Sequence, residues 1–422
     1  MSRIICFGPG PRFKGGMSQY NSSLARTFAQ QGHEVHIVSW SQQYPAIVPR
    51  DFIDRASRKG HLEGTQIPIH YLTNYNNPFS WWRTVRFIAG LKPDKIVIQW
   101  SIALQGLPLG WMIRWLRRHT QIEVIVDVHF VVQKEGSKID HIFSRYGLSQ
   151  AQTYIVHARK TAEELQQLFP QMELQLTETG ERTQWPKRTV LKLYHPIYDI
   201  YQPDPAFDAA AVKAELGLKQ HVFLFFGFIR KYKGLHHALR AFAPLARERD
   251  DVSLLVVGES FWQTLDETRW TTRLKKALFR IARRNLNAQA EDETQYKPLE
   301  LIAELGLQDR VVVVNRYVPN EEVPRYFQVS DCLLLFYEYA TPSGVESMAY
   351  NFRLPVLVTR VGHFPETVQS GLNGYLAEPE DVNSMTDTLK RFLAEPIARE
   401  GVDQMAQNLS WANYVRVILN QS

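Results

Sequence analysis

Cysteine is scarce. The two in 422 residues, Cys6 and Cys332, exclude a disulfide-stapled scaffold. Each lies in an apolar, strand-like run, so both are expected to be buried, reduced and inert, which points to the cytosol. Long apolar runs are missing as well. The nearest candidate, Ile102–Leu116, is broken by Gly106, Pro108, Gly110 and Arg114, so no spanning helix is expected. The N-terminal MSRIICFGPG lacks the long apolar core and cleavage site of a signal peptide. There is no Gly-Lys-Ser/Thr, which excludes a Walker loop, and Phe13 stands where a dinucleotide fingerprint needs glycine. No Asp-x-Asp pair in a suggestive setting and no His/Cys cluster at ligand spacing occurs, so no metal is expected. No short-period repeat is visible.

What is present is ordinary for a globular chain. Hydrophobic residues make up 45% and charged residues 22%, enough for two or three domains with cores of their own. A net charge of +6 suits anionic ligands or an anionic membrane surface. The basic residues are dispersed and no nucleic-acid module is recognisable, so nucleic acid is not an expected partner.

Along the chain, short apolar runs alternate with helical periodicity. Ile4–Phe7 reads as a strand, GPGPRFKGG as its exit loop, Met17–Gln31 as a helix and Glu34–Ser39 as the next strand, a βαβ unit. Gly15 and Gly16 sit just before that helix, where a ligand can meet its N-terminus; a plain glycine turn is the alternative. The alternation continues to a strand at Val190–Tyr194, with His129 at the carboxyl end of Val124–Val128. A sheet of this kind is mostly parallel and places its sites at the strands' carboxyl ends. HPIYDIYQPDP (195–205), with three prolines and no periodicity, reads as a linker. A second α/β series follows, beginning with the strand Val222–Phe226 and a helix Leu235–Arg249 interrupted or kinked at Pro244. Trp270–Arg284 has the pattern of a basic amphipathic helix that could lie on an anionic membrane; a solvated insertion is the preferred alternative. The Gly110–His119 segment, rich in Trp and Arg, invites the same membrane reading.

The stretch Phe336–Pro355, FYEYATPSGVESMAYNFRLP, concentrates the chemistry. A strand leads to Glu338, a small polar loop follows, and Glu346 opens a helix over Val345–Asn351. Thr341 or Ser343 can cap that helix and Gly344 lets a ligand approach the backbone, which makes an anion seat. Two carboxylates beside a phosphate seat make sense if the ligand also carries hydroxyls, as a nucleotide-sugar does. Arg230 and Lys233, in the loop GFIRKYKG after the first strand of the second series, supply the cations for a diphosphate.

The order of these pieces is a GG loop, a histidine after a strand, G-x-x-R-x-x-K-G, then E-x7-E and G-x-x-P-E. The matching segments are GGMSQYNSSLARTFAQQGHEVHIVS, DVHFVVQKE, FFGFIRKYKG and EYATPSGVESMAYNFRLPVLVTRVGHFPE. The chain resembles the retaining glycosyltransferases of family 4, with GT-B architecture, over essentially its whole length. The resemblance implies two Rossmann-like, doubly wound parallel-sheet domains facing across a cleft. Residues 1–198 would form an acceptor-side domain and 199–402 a nucleotide-sugar-binding domain, with 403–422 a helix crossing back to the first. It implies transfer of a sugar, hexosyltransferase-fashion, from a nucleotide-diphosphate sugar to a glycan or lipid-linked acceptor, as in polysaccharide biosynthesis. No metal and no cofactor beyond the co-substrate would take part. The setting would be cytoplasmic, with peripheral contact at the inner membrane face as an added expectation.

By the same resemblance, Gly15 and Gly16 would face donor phosphates and acceptor, and His129 would line the sugar pocket. Arg230 and Lys233 would hold the diphosphate, and Glu338 would contact the donor sugar. Ser343, Gly344 and Val345 would offer polar groups to sugar or phosphate, and Glu346 would accept the ribose hydroxyls. His129, Arg230, Lys233 and Glu338 make up the catalytic set. Three positions depart from the family pattern. Phe228 stands where arginine often follows the strand glycine, with the cation moved to Arg230; His363 replaces the second glycine of GG-x-P-E; and YATPSGV replaces the commoner Phe-Gly interior. A GT-B sugar-nucleotide epimerase and a non-catalytic GT-B scaffold subunit are the competing readings.

Overall fold

The computed structural model describes residues 1–45, 52–57, 60, 62–131, 138–260, 296–340 and 344–420. The segment Trp270–Arg284 and residues Thr341, Pro342 and Ser343 lie outside them.

Two wholly parallel sheets organise the chain. The first has eight strands: β1 (Arg3–Phe7), β2 (Glu34–Gln42), β3 (Ile69–Asn74), β4 (Lys95–Trp100), β5 (Glu123–Val128), β6 (Thr153–Val156), β7 (Leu174–Thr177) and β8 (Arg188–Lys192). Their order is β3-β2-β1-β4-β5-β6-β8-β7. The second has six: β9 (His221–Phe226), β10 (Val252–Val257), β11 (Val311–Val314), β12 (Cys332–Leu335), β13 (Val356–Thr359) and β14 (Gly374–Ala377). Their order is β11-β10-β9-β12-β13-β14. Each sheet winds outward from its first strand in both directions, so each has a switch point beside β1 or β9. Open α/β sheets bind ligands at that place. The strands read as unbroken apolar runs because helices cover both faces; every residue of VSLLVV in β10 is buried. This is the GT-B architecture. Cys6 in β1 and Cys332 in β12 are fully buried, and burial pushes both thiols up.

The chain's end ties the two halves together. The helix Trp411–Leu419 packs against the helix Gly16–Gln30 of the first sheet's domain. The Trp411 indole donates to the Ile197 carbonyl at 2.7 Å, and Arg182 donates to the Ile418 carbonyl at 2.6 Å. Tyr414 and Ile418 are buried in the same seam.

Some local expectations change. The helix Leu235–Glu248 runs without interruption through Pro244. The carbonyl that proline leaves unbonded is that of Arg240, an exposed residue, so water can satisfy it. The Trp/Arg-rich helix Gly106–His119 buries Met112, Ile113 and Leu116, while Arg114 and Arg118 face out. Its apolar face is therefore spent on the core.

Candidate active site

A cavity of about 310 Å³ lies between the carboxyl edges of the two sheets, within the range of small-ligand sites. Of the residues singled out in the sequence, Gly15, Gly16, His129, Lys233, Gly344 and Val345 line it. Arg230, Glu338 and Glu346 do not, and Ser343 lies outside the described residues. His195, Tyr198, Tyr232 and Tyr337 complete much of the wall.

The helix Gly16–Gln30 begins without a side-chain cap. Its N-cap, Gly15, has φ 102°, which a residue with a Cβ adopts only under strain. The Ser18 N–H bonds back to the Gly15 carbonyl at 3.2 Å, while Gly16 and Met17, capped by no side chain, line the cavity. The helix Gly344–Asn351 starts at the opposite wall, with the Tyr198 ring packed against Gly344. The Tyr198 hydroxyl donates to the Gly16 carbonyl at 2.9 Å, so one tyrosine spans both helix starts.

Lys233 enters beneath this. Gly227 has φ 104°, and a Cβ there would stand 2.9 Å from the Lys233 ammonium. The positive φ favours glycine there, and a Cβ would crowd the end of the lysine side chain. Burial pulls the Lys233 ammonium down from 10.5 to about 8, with the charge of Arg230 adding to the shift. Arg230 lies over the Tyr232 ring at 5.1 Å. The two cations therefore stand at the carboxyl end of β9, beside the switch point.

The two carboxylates turn opposite ways. The Glu338 amide donates to the Tyr232 carbonyl at 2.8 Å, which pins its backbone to the cation loop. Its Oε1 lies 3.4 Å from His236 Nε2 and 3.7 Å from His237 Nε2. Burial raises its carboxyl, but His237, His236 and Lys231 outweigh that, and it sits below the usual carboxylate range. Glu346 is only 3% exposed. Its Oε1 accepts from the Tyr350 hydroxyl at 2.9 Å and from Thr367 at 2.6 Å, while Oε2 pairs with His363 Nε2 at 2.5 Å. His363, the residue that replaces the family's glycine, is therefore the partner of Glu346.

Sequence reasoning missed the network behind His129. Asp127 is fully buried and pairs with His157 Nε2 at 2.8 Å, while His157 Nδ1 faces the Leu193 carbonyl at 3.1 Å. Tyr20 donates to Asp127 Oδ2 at 2.9 Å, and Tyr414, from the last helix, reaches the same oxygen at 3.1 Å. Burial opposes ionisation of Asp127, yet His157 and His129 hold its carboxyl at about 2. His129 Nε2 meets Gln99 Oε1 at 2.8 Å, and burial takes its imidazole down to about 4. With Nε2–H donating to Gln99 Oε1, a neutral His129 keeps only Nδ1, an acceptor, for a ligand. His236 likewise falls to about 4, chiefly by burial and then by His237. The sequence shows no metal-ligand spacing, but the fold assembles two compact ligand sets among the described residues: Asp127, His129 and His157; and His236, His237 and Glu338. The adjacent histidines after Lys233-Gly234 and the VDVH run were the available signals.

Two family patterns match the chain: "Glycosyl transferases group 1" over residues 208–409 and "Glycosyltransferase Family 4" over residues 14–174. A 2-deoxystreptamine glucosyltransferase from Streptomyces kanamyceticus is 29% identical over 245 residues, 53% of this chain and 54% of that protein. The chain thus spans about half the length of that relative. Among solved structures, Anabaena HepE in complex with UDP-glucose superposes with a TM-score of 0.66 at 15% identity, covering 99% of this chain and 98% of the other. Sucrose-phosphate synthase from Thermosynechococcus elongatus gives 0.63 at 17% identity, covering 99% and 97%. These two likenesses concern the fold.

Proposed function

The chain belongs to the GT-B glycosyltransferases of the family-4 group, and from that premise we propose that it moves a sugar, with retention, from a nucleotide-diphosphate sugar to a glycan or lipid-linked acceptor without a metal. One observation carries the reading. Lys233 and the starts of the helices Gly16–Gln30 and Gly344–Asn351 converge on a single cavity between the sheets, with Arg230 beside Lys233. That arrangement suits a diphosphate leaving group.

The anomeric C–O bond to the diphosphate breaks, and the acceptor hydroxyl forms a bond on the same face of the sugar. The acceptor's proton passes to the departing phosphate. Lys233, Arg230 and the helix N-termini offset the charge that grows on the diphosphate, so they act on the transition state more than on the ground state. His129 and Glu338 each accept from a sugar hydroxyl. Glu346 accepts from the ribose once the His363 bond at Oε2 is exchanged. Gly15, Gly16 and the first domain's wall receive the acceptor. The carbohydrate chemistry named for the Streptomyces relative supports the reading at the level of reaction class.

Arg230→Ala or Lys233→Ala is expected to lower turnover by about 10²–10³, the usual cost of losing a charge-stabilising donor. Both variants should stay folded by circular dichroism. Wild-type turnover in both would remove the mechanism. The donor is identified by thermal shift against UDP-, GDP- and ADP-sugars, since stabilisation grows as RT ln(1 + [L]/Kd).

A further inference from the structure

We propose that His236, His237 and Glu338 form a site for a zinc-class divalent ion, and that filling it inhibits sugar transfer. The site half of this claim stands on geometry alone; the inhibitory half rests on the reading of Glu338 as the donor-sugar acceptor.

Both histidines aim Nε2 at one oxygen, Glu338 Oε1, at 3.4 and 3.7 Å. Both separations exceed the usual N–H···O range of about 2.7–3.2 Å, and His237 acts on Glu338 as a long hydrogen-bond donor. The edge of a tetrahedron with bonds of about 2.1 Å is about 3.4 Å, so the spacing matches ligands around a zinc-sized ion. One ligand atom from each of the three residues lies within 4.8 Å of the others, and the two rings are 4.0 Å apart at their centroids. Two imidazoles and a carboxylate leave a fourth position open. His236 also has the outer partner that a ligating imidazole usually needs, the Tyr296 hydroxyl 2.9 Å from Nδ1.

The other compact ligand set behaves differently. Asp127 and His157 satisfy each other at 2.8 Å, and Tyr20 and Tyr414 occupy the second carboxylate oxygen. That cluster is closed by its own hydrogen bonds.

Two features make the proposed site exchangeable rather than a structural closure. Among the described residues His237 Nδ1 is buried with no hydrogen-bond partner, so this ligand lacks outer support there. Lys231 and Arg240 stand close enough to His236 to oppose a cation. An ion held here engages Glu338 Oε1 and draws charge from the carboxylate, which weakens it as an acceptor for the donor sugar.

The test uses the full chain and Zn²⁺ alone as probe, titrated against a chromophoric chelator, alongside a turnover assay with and without EDTA. Wild-type protein should bind one Zn²⁺ at this site, lose turnover as it fills, and recover on chelation. His236→Ala and His237→Ala should each weaken binding by at least roughly 100-fold, since losing an outer partner alone costs about 10–100-fold. Their turnover should no longer respond to zinc. His237→Gln serves where the alanine variant melts early without metal. Zinc affinity unchanged in both histidine variants would place the ion elsewhere and overturn the site. Zinc binding that depends on both histidines, yet leaves or raises wild-type turnover, would overturn the inhibitory role. Absence of turnover with every nucleotide-sugar would count against the proposed function alone, because the zinc titration needs no activity.

Discussion

Lys233 gives the sharpest prediction, because two measurable quantities must move in opposite directions. Its ammonium titrates at about 8 in the fold against an ordinary 10.5, mainly because it is buried and also because Arg230 is near. The shift corresponds to about 3 kcal/mol spent to keep the charge in place. A bound diphosphate repays that cost, but the free protein does not enjoy it. The donor kcat/KM, which reports the free enzyme, should therefore be flat below pH 8 and fall about tenfold per unit above it. Stability should respond the other way. A cation whose folded pKa is lowered leaves the unfolded chain with more bound protons between pH 8 and 10.5, so unfolding free energy rises with pH there. Activity lost between pH 8 and 9.5 would thus accompany an unchanged or higher melting temperature. Lys233→Arg keeps its charge across this range and should abolish the alkaline limb while retaining measurable turnover. A wild-type profile flat to pH 10, or a limb that survives in Lys233→Arg, would refute the assignment of the cation.

Three further outcomes follow from the same geometry. Asp127 is held at about 2 against an ordinary 3.8, so its contribution is present above pH 4 and lost as pH falls toward 2, about 2 kcal/mol in urea unfolding. Asp127→Asn should erase that acid limb and cost about 1–3 kcal/mol at pH 7, because the amide must aim an N–H where a carboxylate oxygen now accepts from His157 or from Tyr20 and Tyr414. Tyr414→Phe deletes the hydroxyl that meets Tyr20 at 2.6 Å and Asp127 at 3.1 Å; a loss of about 1–2 kcal/mol and faster hydrogen exchange in the Trp411–Leu419 helix are expected. His363→Gly frees Glu346 Oε2, so donor affinity by calorimetry should rise, up to about tenfold, for ribose-containing donors and not for 2′,3′-dideoxy analogues.

The fold was legible because parallel strands buried on both faces must be apolar throughout, and HVFLFF or VSLLVV permits few other readings. What escaped notice lacked such a signal. The helix Ala209–Leu216 buries no residue, so it has no apolar stripe to reveal it. The edge strand β7 exposes Gln175 and Leu176 in succession, which breaks any alternation. The site divides along similar lines. Spacing placed Arg230, Lys233, Glu338 and Glu346 near one sheet edge, because strand exits and helix starts fix where a backbone stands. It said nothing of where each side chain turns. Glu338 is drawn to histidines about a hundred residues earlier in sequence, and Glu346 to His363, seventeen residues later. In each case the carboxylate faces imidazole nitrogen: His236 and His237 for Glu338, His363 for Glu346. On the proposed reading the motif supplies acceptors for sugar and ribose, and a donor must exchange the histidine contacts to reach them. The same reading makes donor selectivity depend in part on residues outside the motif. Transplanting YATPSGV alone into a relative would accordingly carry over little of it.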